Sequence, residues 1–398
     1  MRKKILFLGG SPYQTPPIKY AKQQGHYIIT CDYLPDNPGH KLADEYHNVS
    51  TIDQDAVLEL ATRLKIDAVV AFGSDPAAPT AAYVAEKLNL PGNPRESVEI
   101  LTRKDLFRDF LLKHNFEVPW HRSFSFYPEV EAYFKSVNAP AVIKPVDSSG
   151  SKGVSKVSCL EQLLPAFNSA ISYSRVKKVI VEEYIDKDIQ IAGDGFVLNG
   201  KLVFRCFGKE HFDLAGNPFA PVGESFPLQR SLAIQDKAHN EIERLMQLLN
   251  MKAGELNFDM MIDKNDRLFL MEIAPRGGGN LISEIIRYST GIDMAKYVVD
   301  CALGLDCGDL CMYREAKYYS CYTLHSQNEG YFKDVIIDES VRQNIVEQLL
   351  FIKPGDWVKS FENLGSSLGE LILKYDSAEE MIEKMDSMSD RVRVVLHQ

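Results

Sequence analysis

The sequence predicts two kinds of sheet in one chain: an α/β parallel-sheet module at the amino end, followed by α+β architecture. Three observations predict this. The first hundred residues alternate apolar strands with helices, residues 116 to 185 alternate strands with one helix, and residues 186 to about 274 turn to antiparallel hairpins.

The elements follow in order. "KKILFLGGSPYQTPPIKYAKQQGHYIITCDYL" reads as a buried strand, a glycine turn, a helix and a second strand ending at Asp32. "LKIDAVVAFGSDPAAPTAAYVAEKLNLPG" repeats the unit, with a strand over 67–72, a Gly73-Ser74-Asp75 turn, an alanine-rich helix and a stop at Leu90-Pro91-Gly92. Together they predict a doubly wound sheet over residues 1–100, with ligands at the carboxyl ends of its strands. The "GGS" start lacks G-x-G-x-x-G, so a dinucleotide fingerprint is absent, and Asp32 alone also suits a turn or cap. A helix "SVEILTRKDLFRDFLLKHN" opens a second domain over 101–310, within which residues 116–185 form a separate lobe. Its hairpins turn at Asn199-Gly200 and at Lys264-Asn265-Asp266. The last ninety residues, around "FIKPGDW", predict a small closing lobe over 311–398.

At 398 residues the chain exceeds what one core supports, so two or three modules are expected. A formal net charge of −10 argues against general affinity for nucleic acid or anionic membrane, so any phosphate site is local. "MRKKILFLGG" resembles the start of a signal, but its apolar run covers only Ile5 to Leu8, and no stretch reaches about 18 apolar residues. A cytoplasmic protein is expected. Seven cysteines without a secretory signal are expected to stay reduced; Cys301, Cys307, Cys311 and Cys321 lack the paired C-x-x-C spacing of zinc sites.

Four stretches carry chemistry. "AVIKPVDSSGSKGVSKV", residues 141–157, has Lys144 ahead of a Ser/Gly run; it suits a phosphate cradle or a surface turn, and it is not a Walker A loop, whose lysine follows the glycines. In "FDMMIDKNDRLFLMEIAPR", period-two alternation puts Asp259 and Met261 on one face, and Leu270 and Glu272 on one face of the partner strand. Two acids that close repel and lose hydration unless a cation such as Mg²⁺ or protons compensate; the alternative is that one points to solvent. Arg276 ahead of "GGGN" can bring a forked donor and exposed N–H groups to an anion. "VIVEEYI", residues 179–185, ends a strand in groups that suit a purine edge or an exposed strand terminus.

The order of Lys104, Lys144, "VEEYI", "NFDMMI" and "MEIAPR" over roughly residues 100 to 300 resembles the ATP-grasp superfamily, and the first hundred residues resemble the Rossmann-like module that precedes it. The resemblance implies ATP held between two α+β lobes, one a mobile lid. It implies that Lys104 and Lys144 contact the α- and β-phosphates and that the loop 147–153, with Ser149, Gly150, Ser151 and Gly153, folds over the β- and γ-phosphates. Glu182 would accept from the adenine amino group, the backbones of Glu183 and Ile185 would pair the ring edge, Met261 would pack on its face, and Asp188 or Gln190 would meet the ribose. Asp259 and Glu272 would ligate Mg²⁺, and Arg276 would steady the transferring phosphoryl group. The family pattern is E-x-N-P-R, whereas this chain has Glu272-Ile273-Ala274-Pro275-Arg276, and Ala274 cannot ligate a metal. The carboxyaminoimidazole ribonucleotide synthetase branch also resembles this chain in E-I-A-P-R, but "GGGN" stands where that branch has a His-containing run.

The activity implied is an ATP-dependent, Mg²⁺-requiring carboxylate–amine ligase that passes through an acyl phosphate and releases ADP and phosphate. Its partners would be a small-molecule carboxylate and an amine, and a homodimer is compatible with the sequence. Rival readings are a purine-pathway ribonucleotide ligase or transferase, a carbamoyl-phosphate-synthase-like kinase of bicarbonate, and a non-catalytic ATP-binding regulator. The acceptor pocket would draw on "GSDPAAPT" and "GKEHFDLAGNPFAPVGESFP".

Overall fold

The computed structural model describes residues 2–213 and 217–397. Residues 214–216, inside the second expected acceptor loop, lie outside the described residues. The amino-terminal sheet has four parallel strands in the order Glu45–His47, Tyr27–Cys31, Lys4–Leu8, Ala68–Val70. The order reverses about Lys4–Leu8, so the segments after Leu8 and Val70 splay from one edge and leave a crevice there. Tyr13, Gly73 and Asp75 lie on these segments and line the main cavity.

The lobe beyond it is an antiparallel sheet in the order His121–Phe124, Val179–Glu183, Ala141–Pro145, Ser155–Val157. Helices Tyr127–Val137 and Leu160–Tyr173 cover one face through Val130, Phe134, Leu163 and Phe167. The other face turns Val142, Lys144, Lys156 and Glu182 to the cavity.

Opposite stands an eight-stranded sheet in the order Leu268–Ala274, Ala253–Asp263, Lys187–Leu198, Lys201–Phe212, Pro221–Phe226, Tyr318–Leu324, Gly369–Tyr375, Ile345–Leu350. Helix Leu232–Leu248 seals one face, where Ile242, Leu245 and Met246 meet Phe258, Met260 and Leu270. The segment expected to form a closing lobe contributes three strands to this sheet, and a three-stranded sheet of Gly330–Ile337, Trp357–Val358 and Val392–His397 packs beside them. The Asn199-Gly200 turn has φ of 51° and 75°, the left-handed pair that a two-residue hairpin with matching twist requires.

Two local readings are corrected. The single helix expected over 97–115 is two, Arg95–Thr102 and Lys104–Lys113, because Arg103 is extended (φ −120°, ψ 107°) and the Lys104 amide bonds Val146 O at 2.8 Å. The break aims Lys104 at the cavity. In the hairpin, the register slips between Asp259↔Glu272 and Met260↔Leu270, leaving Met271 as the extra residue of a bulge. Leu270 therefore joins the helix-side core while Glu272 faces the cavity, so the two do not share a face. Among the described residues, no helix is long and apolar enough to cross a membrane.

Candidate functional site

A cavity of about 520 Å³ lies between the four-stranded antiparallel sheet, the eight-stranded sheet and the edge of the amino-terminal module. Lys144 enters it from the buried strand Ala141–Pro145. It ion-pairs with Glu182, which sits diagonally on the same face of the neighbouring strand. The second Glu182 oxygen meets Arg108 Nε at 3.2 Å, and Arg108 is wholly buried with its fork on the carbonyls of Met271 (2.9 Å) and Leu270 (3.3 Å). Burial alone would raise the Glu182 pKa, but Arg108 and Lys144 outweigh it and hold the carboxyl at about 2. Glu182, expected as a free acceptor for a base amino group, is instead the counter-ion of two cations. Burial lowers the Lys144 pKa below its ordinary value, and an anionic ligand in this cavity would favour its charged form.

Lys104 places its ammonium 2.8 Å from Glu272 Oε2 and donates to Ser148 O at 2.8 Å. Burial opposes its charge, but Glu272 raises its pKa above the ordinary value. Asp259 and Glu272 are direct cross-strand partners. Burial first, and Glu272 second, push the Asp259 pKa upward. Asp259 Oδ1 accepts from Gln190 Nε2 at 2.9 Å, and Gln190 in turn holds Lys187. Glu210 lines the same wall with its Oε2 buried and without a hydrogen-bond partner among the described residues; burial, then Asp259 and Glu224, push it well above the carboxylate range.

Arg276 also lines the cavity, but its fork closes on Asp75 at 2.8 and 2.7 Å, and its remaining arm reaches Gly277 O at 2.8 Å. The expected free fork is thus braced by the amino-terminal module, and Arg276 in return draws Asp75 below its ordinary range despite burial. The glycine bend departs from expectation in the same way. Gly278 N donates to both Asp194 oxygens, at 3.1 and 3.0 Å, so the anion it holds is internal. A Cβ at Gly277 would lie 2.2 Å from Glu255 Oε2, which is why the bend needs glycine there. Burial lifts Asp194 to about 6.

Ser149, Gly150 and Ser151 line the cavity, with positive φ of 66° at Gly150 and 60° at Ser151, and Ser151 Oγ bonds Phe219 O at 2.6 Å. Gly153 does not belong with them. It packs on helix Leu160–Tyr173, where a Cβ would sit 3.1 Å from Ala170 Cα. Glu183 and Ile185 line the cavity at the strand end, and Ile185, Phe269, Met271 and Met261 make an apolar patch beside them, suited to a flat ring. Gln190 lines the cavity, whereas Asp188 turns outward to Arg230 at 2.6 Å, so Asp188 is excluded from the pair read for the ribose.

Four further residues shape the site without having been singled out from the sequence: Arg108, Asp75, Glu210 and Glu224. Asp75 had a signal in the strand-end turn "GSDPAAPT". Arg108 had none, since "LFRDFLL" reads as a helix with an exposed arginine.

Residues 137–284 match the model of the ATP-grasp domain family. Over that segment the chain is similar to the ATP-grasp domain family. Formate-dependent phosphoribosylglycinamide formyltransferase from Prochlorococcus marinus (strain NATL1A) is 29% identical over 194 residues, 48% of this chain and 49% of that protein. The chain spans about half the length of the curated relatives it matches. Among solved structures, L-amino acid ligase from Bacillus licheniformis superposes with a TM-score of 0.82 at 19% identity, covering 100% of this chain and 99% of that one. Phosphoribosylglycinamide synthetase from Anaerococcus prevotii gives 0.77 at 21% identity, covering 100% of both. At these identities the structures show the fold, which is the ATP-grasp fold with its parallel-sheet amino-terminal module.

ATP-grasp enzymes use ATP and Mg²⁺. The residues present fit that pair. Asp259 and Glu272 face each other across one register position with excess negative charge that a divalent cation would relieve. Among the described residues, no group of three or more His, Cys, Asp or Glu is arranged to hold a metal ion.

Proposed function

We propose that this ATP-grasp chain is an ADP-forming carboxylate–amine ligase that activates its acid as an acyl phosphate. The observation that carries the reading is the meeting, in one cavity, of Lys104 and Lys144 with the opposed Asp259 and Glu272. Phosphoryl transfer needs positioning and charge neutralisation more than a protein nucleophile. Lys144 and Lys104 supply positive charge to phosphate oxygens, and Ser149 to Ser151 cover them from the lid. Asp259 and Glu272 would hold Mg²⁺, which when bound with the nucleotide neutralises charge on the phosphates. Arg276, fixed by Asp75, adds a cation whose direction does not change during the reaction. The apolar patch at Ile185 and Met261 receives the base, and Gln190 is the ribose contact. Closure of the lid over the Ser/Gly loop would exclude water from a hydrolysable acyl phosphate.

A second reading, a ligase or transferase acting on a phosphoribosyl substrate, is favoured by the names of the formyltransferase and synthetase relatives. The test of the ligase reading is to supply ATP, Mg²⁺ and a panel of carboxylic acids with hydroxylamine in place of the amine. Hydroxamate and ADP are the expected products for at least one acid. AMP and pyrophosphate would contradict the mechanism, and ATP binding without turnover across the panel would favour a regulator.

A further inference from the structure

The cavity end formed by the amino-terminal module and the strands beyond Lys201–Phe212 differs in charge from the lysine-rich end. Strand Pro221–Phe226 lies between Lys201–Phe212 and Tyr318–Leu324, and the registers place Glu210, Glu224 and Cys321 in one row. Glu224 is 2% exposed and lines the cavity beside Tyr13, Asn280 and Gly73. Its Oε2 accepts from the Cys321 thiol, and among the described residues no ion pair holds it. Among the described residues, two cations lie near this wall: Arg276, with all three arms of its guanidinium engaged by Asp75 and Gly277, and Lys187, which donates to Gln190 and is drawn electrostatically to Glu210 and Asp259. At Glu224 itself a phosphate group would meet a carboxyl and the braced Arg276, with Lys187 turned to Gln190, Glu210 and Asp259; an ammonium group would meet a buried carboxylate that accepts from the neutral Cys321 thiol.

Resting on the ligase reading above, we propose that the acceptor is a small, unphosphorylated primary amine and that Glu224 receives its ammonium group. One proton passes from the ammonium to the Glu224 carboxylate, and the freed nitrogen lone pair forms the C–N bond at the acyl carbon. The C–O bond to phosphate breaks with its electron pair leaving on phosphate, which takes the second amine proton. Burial lifts Glu224 to about 7, near enough to neutrality both to bind the cation and to hold its proton. A phosphorylated amine would have to bury its phosphate beside these acids with Arg276 already held by Asp75, a discrimination built from an unfavourable contact.

The experiment uses the full chain and the acid found by hydroxamate formation, with paired acceptors: L-serine against O-phospho-L-serine and ethanolamine against O-phosphoethanolamine, within a panel of the common amino acids. The wild-type protein is expected to favour the unphosphorylated member by about 100-fold in kcat/KM. Glu224→Gln is expected to lower kcat/KM for the preferred amine by about 10- to 100-fold, with a much smaller loss of hydroxamate from hydroxylamine, which is neutral at the assay pH. Equal or better use of the phosphorylated acceptors overturns the proposal. So does a Glu224→Gln loss of the same size with both nucleophiles, which places the residue in phosphorylation or folding. If Glu224→Gln does not give a cooperative melt, the wild-type acceptor pairs decide the matter alone. Absence of ADP and hydroxamate from every acid overturns the ligase reading itself, an outcome distinct from a wrong acceptor class.

Discussion

Two buried glutamates differ in their surroundings: Glu182 lines the cavity, and Glu370 lies behind it, bonded to the lining Tyr13. Glu182, under the lid, is held at about 2, whereas Glu370, behind Tyr13, is pushed up to about 8. Burial acts on both in the same direction. The difference lies in their partners: Glu182 has Arg108 and Lys144, while Glu370 accepts from Tyr13 at 3.0 Å, Thr323 at 3.1 and 3.3 Å and Ser367 at 3.3 Å, with Glu224 adding repulsion. One setting is an ionic lattice whose charges are mutually satisfied; the other is a set of acids that burial holds close to neutral. On the readings proposed above, a nucleotide would meet the Lys144 side of the first, and the amine would meet Glu224 beside the second.

The comparison breaks most visibly at Asp259 and Glu272. Asp259→Asn and Glu272→Gln are each expected to lower Mg²⁺-dependent turnover by about 10³-fold, roughly 4 kcal/mol in the barrier. Melting in EDTA separates the two acids. Asp259→Asn should raise the Tm by relieving repulsion, while Glu272→Gln should not, because it strips Lys104 of its partner. Normal turnover in both variants would remove these acids from the site.

Arg108→Ala tests the ionic lattice. It leaves Glu182 and Lys144 buried without their third member and two backbone carbonyls without a donor, for an expected loss of about 3–5 kcal/mol in chemical denaturation. A change below about 1 kcal/mol would show that the lattice does not hold the lid sheet to the larger one.

For Glu370, the sign of the pH dependence is the test. The folded Glu370 pKa of about 8 exceeds the unfolded value of about 4.3. The folded state therefore binds the proton more tightly, and wild-type stability falls as pH rises from about 4 through 8. Glu370→Gln should flatten that fall, gaining on the order of 2–4 kcal/mol at pH 8.5 relative to pH 4. Parallel pH profiles for the two proteins would refute the neutral-acid assignment.

These contrasts also explain what could be read from the sequence. Period-two alternation exposed the hairpins, and Lys144, Asp259 and Glu272 stood out because a charged residue in an apolar strand needs a partner. The bulge that sends Leu270 and Glu272 to opposite faces left no mark, since a one-residue slip depends on the partner strand. The break at Arg103 was hidden by an uninterrupted amphipathic pattern; it depends on the bond from Lys104 to Val146, far along the chain. Arg108 and Asp75 act on residues 74 and 201 positions away, and Gly278 found its anion in Asp194 rather than in a ligand. Asp188 shows the reverse error: regular alternation would give it the face of Gln190, but the register with the neighbouring strand shifts between Ile189 and Lys187, and Asp188 turns outward to Arg230.

Titration of MgATP into the wild-type chain, Lys144→Ala and Asp188→Ala tests the central claim most directly. The account predicts saturable binding by the wild-type, a loss of about tenfold or more in Lys144→Ala, where a charge-assisted contact worth about 1.5–3 kcal/mol is removed, and no change in Asp188→Ala, whose exposed ion pair is worth about 1 kcal/mol or less to stability. Equal MgATP affinity in the wild-type chain and in a folded Lys144→Ala would contradict it.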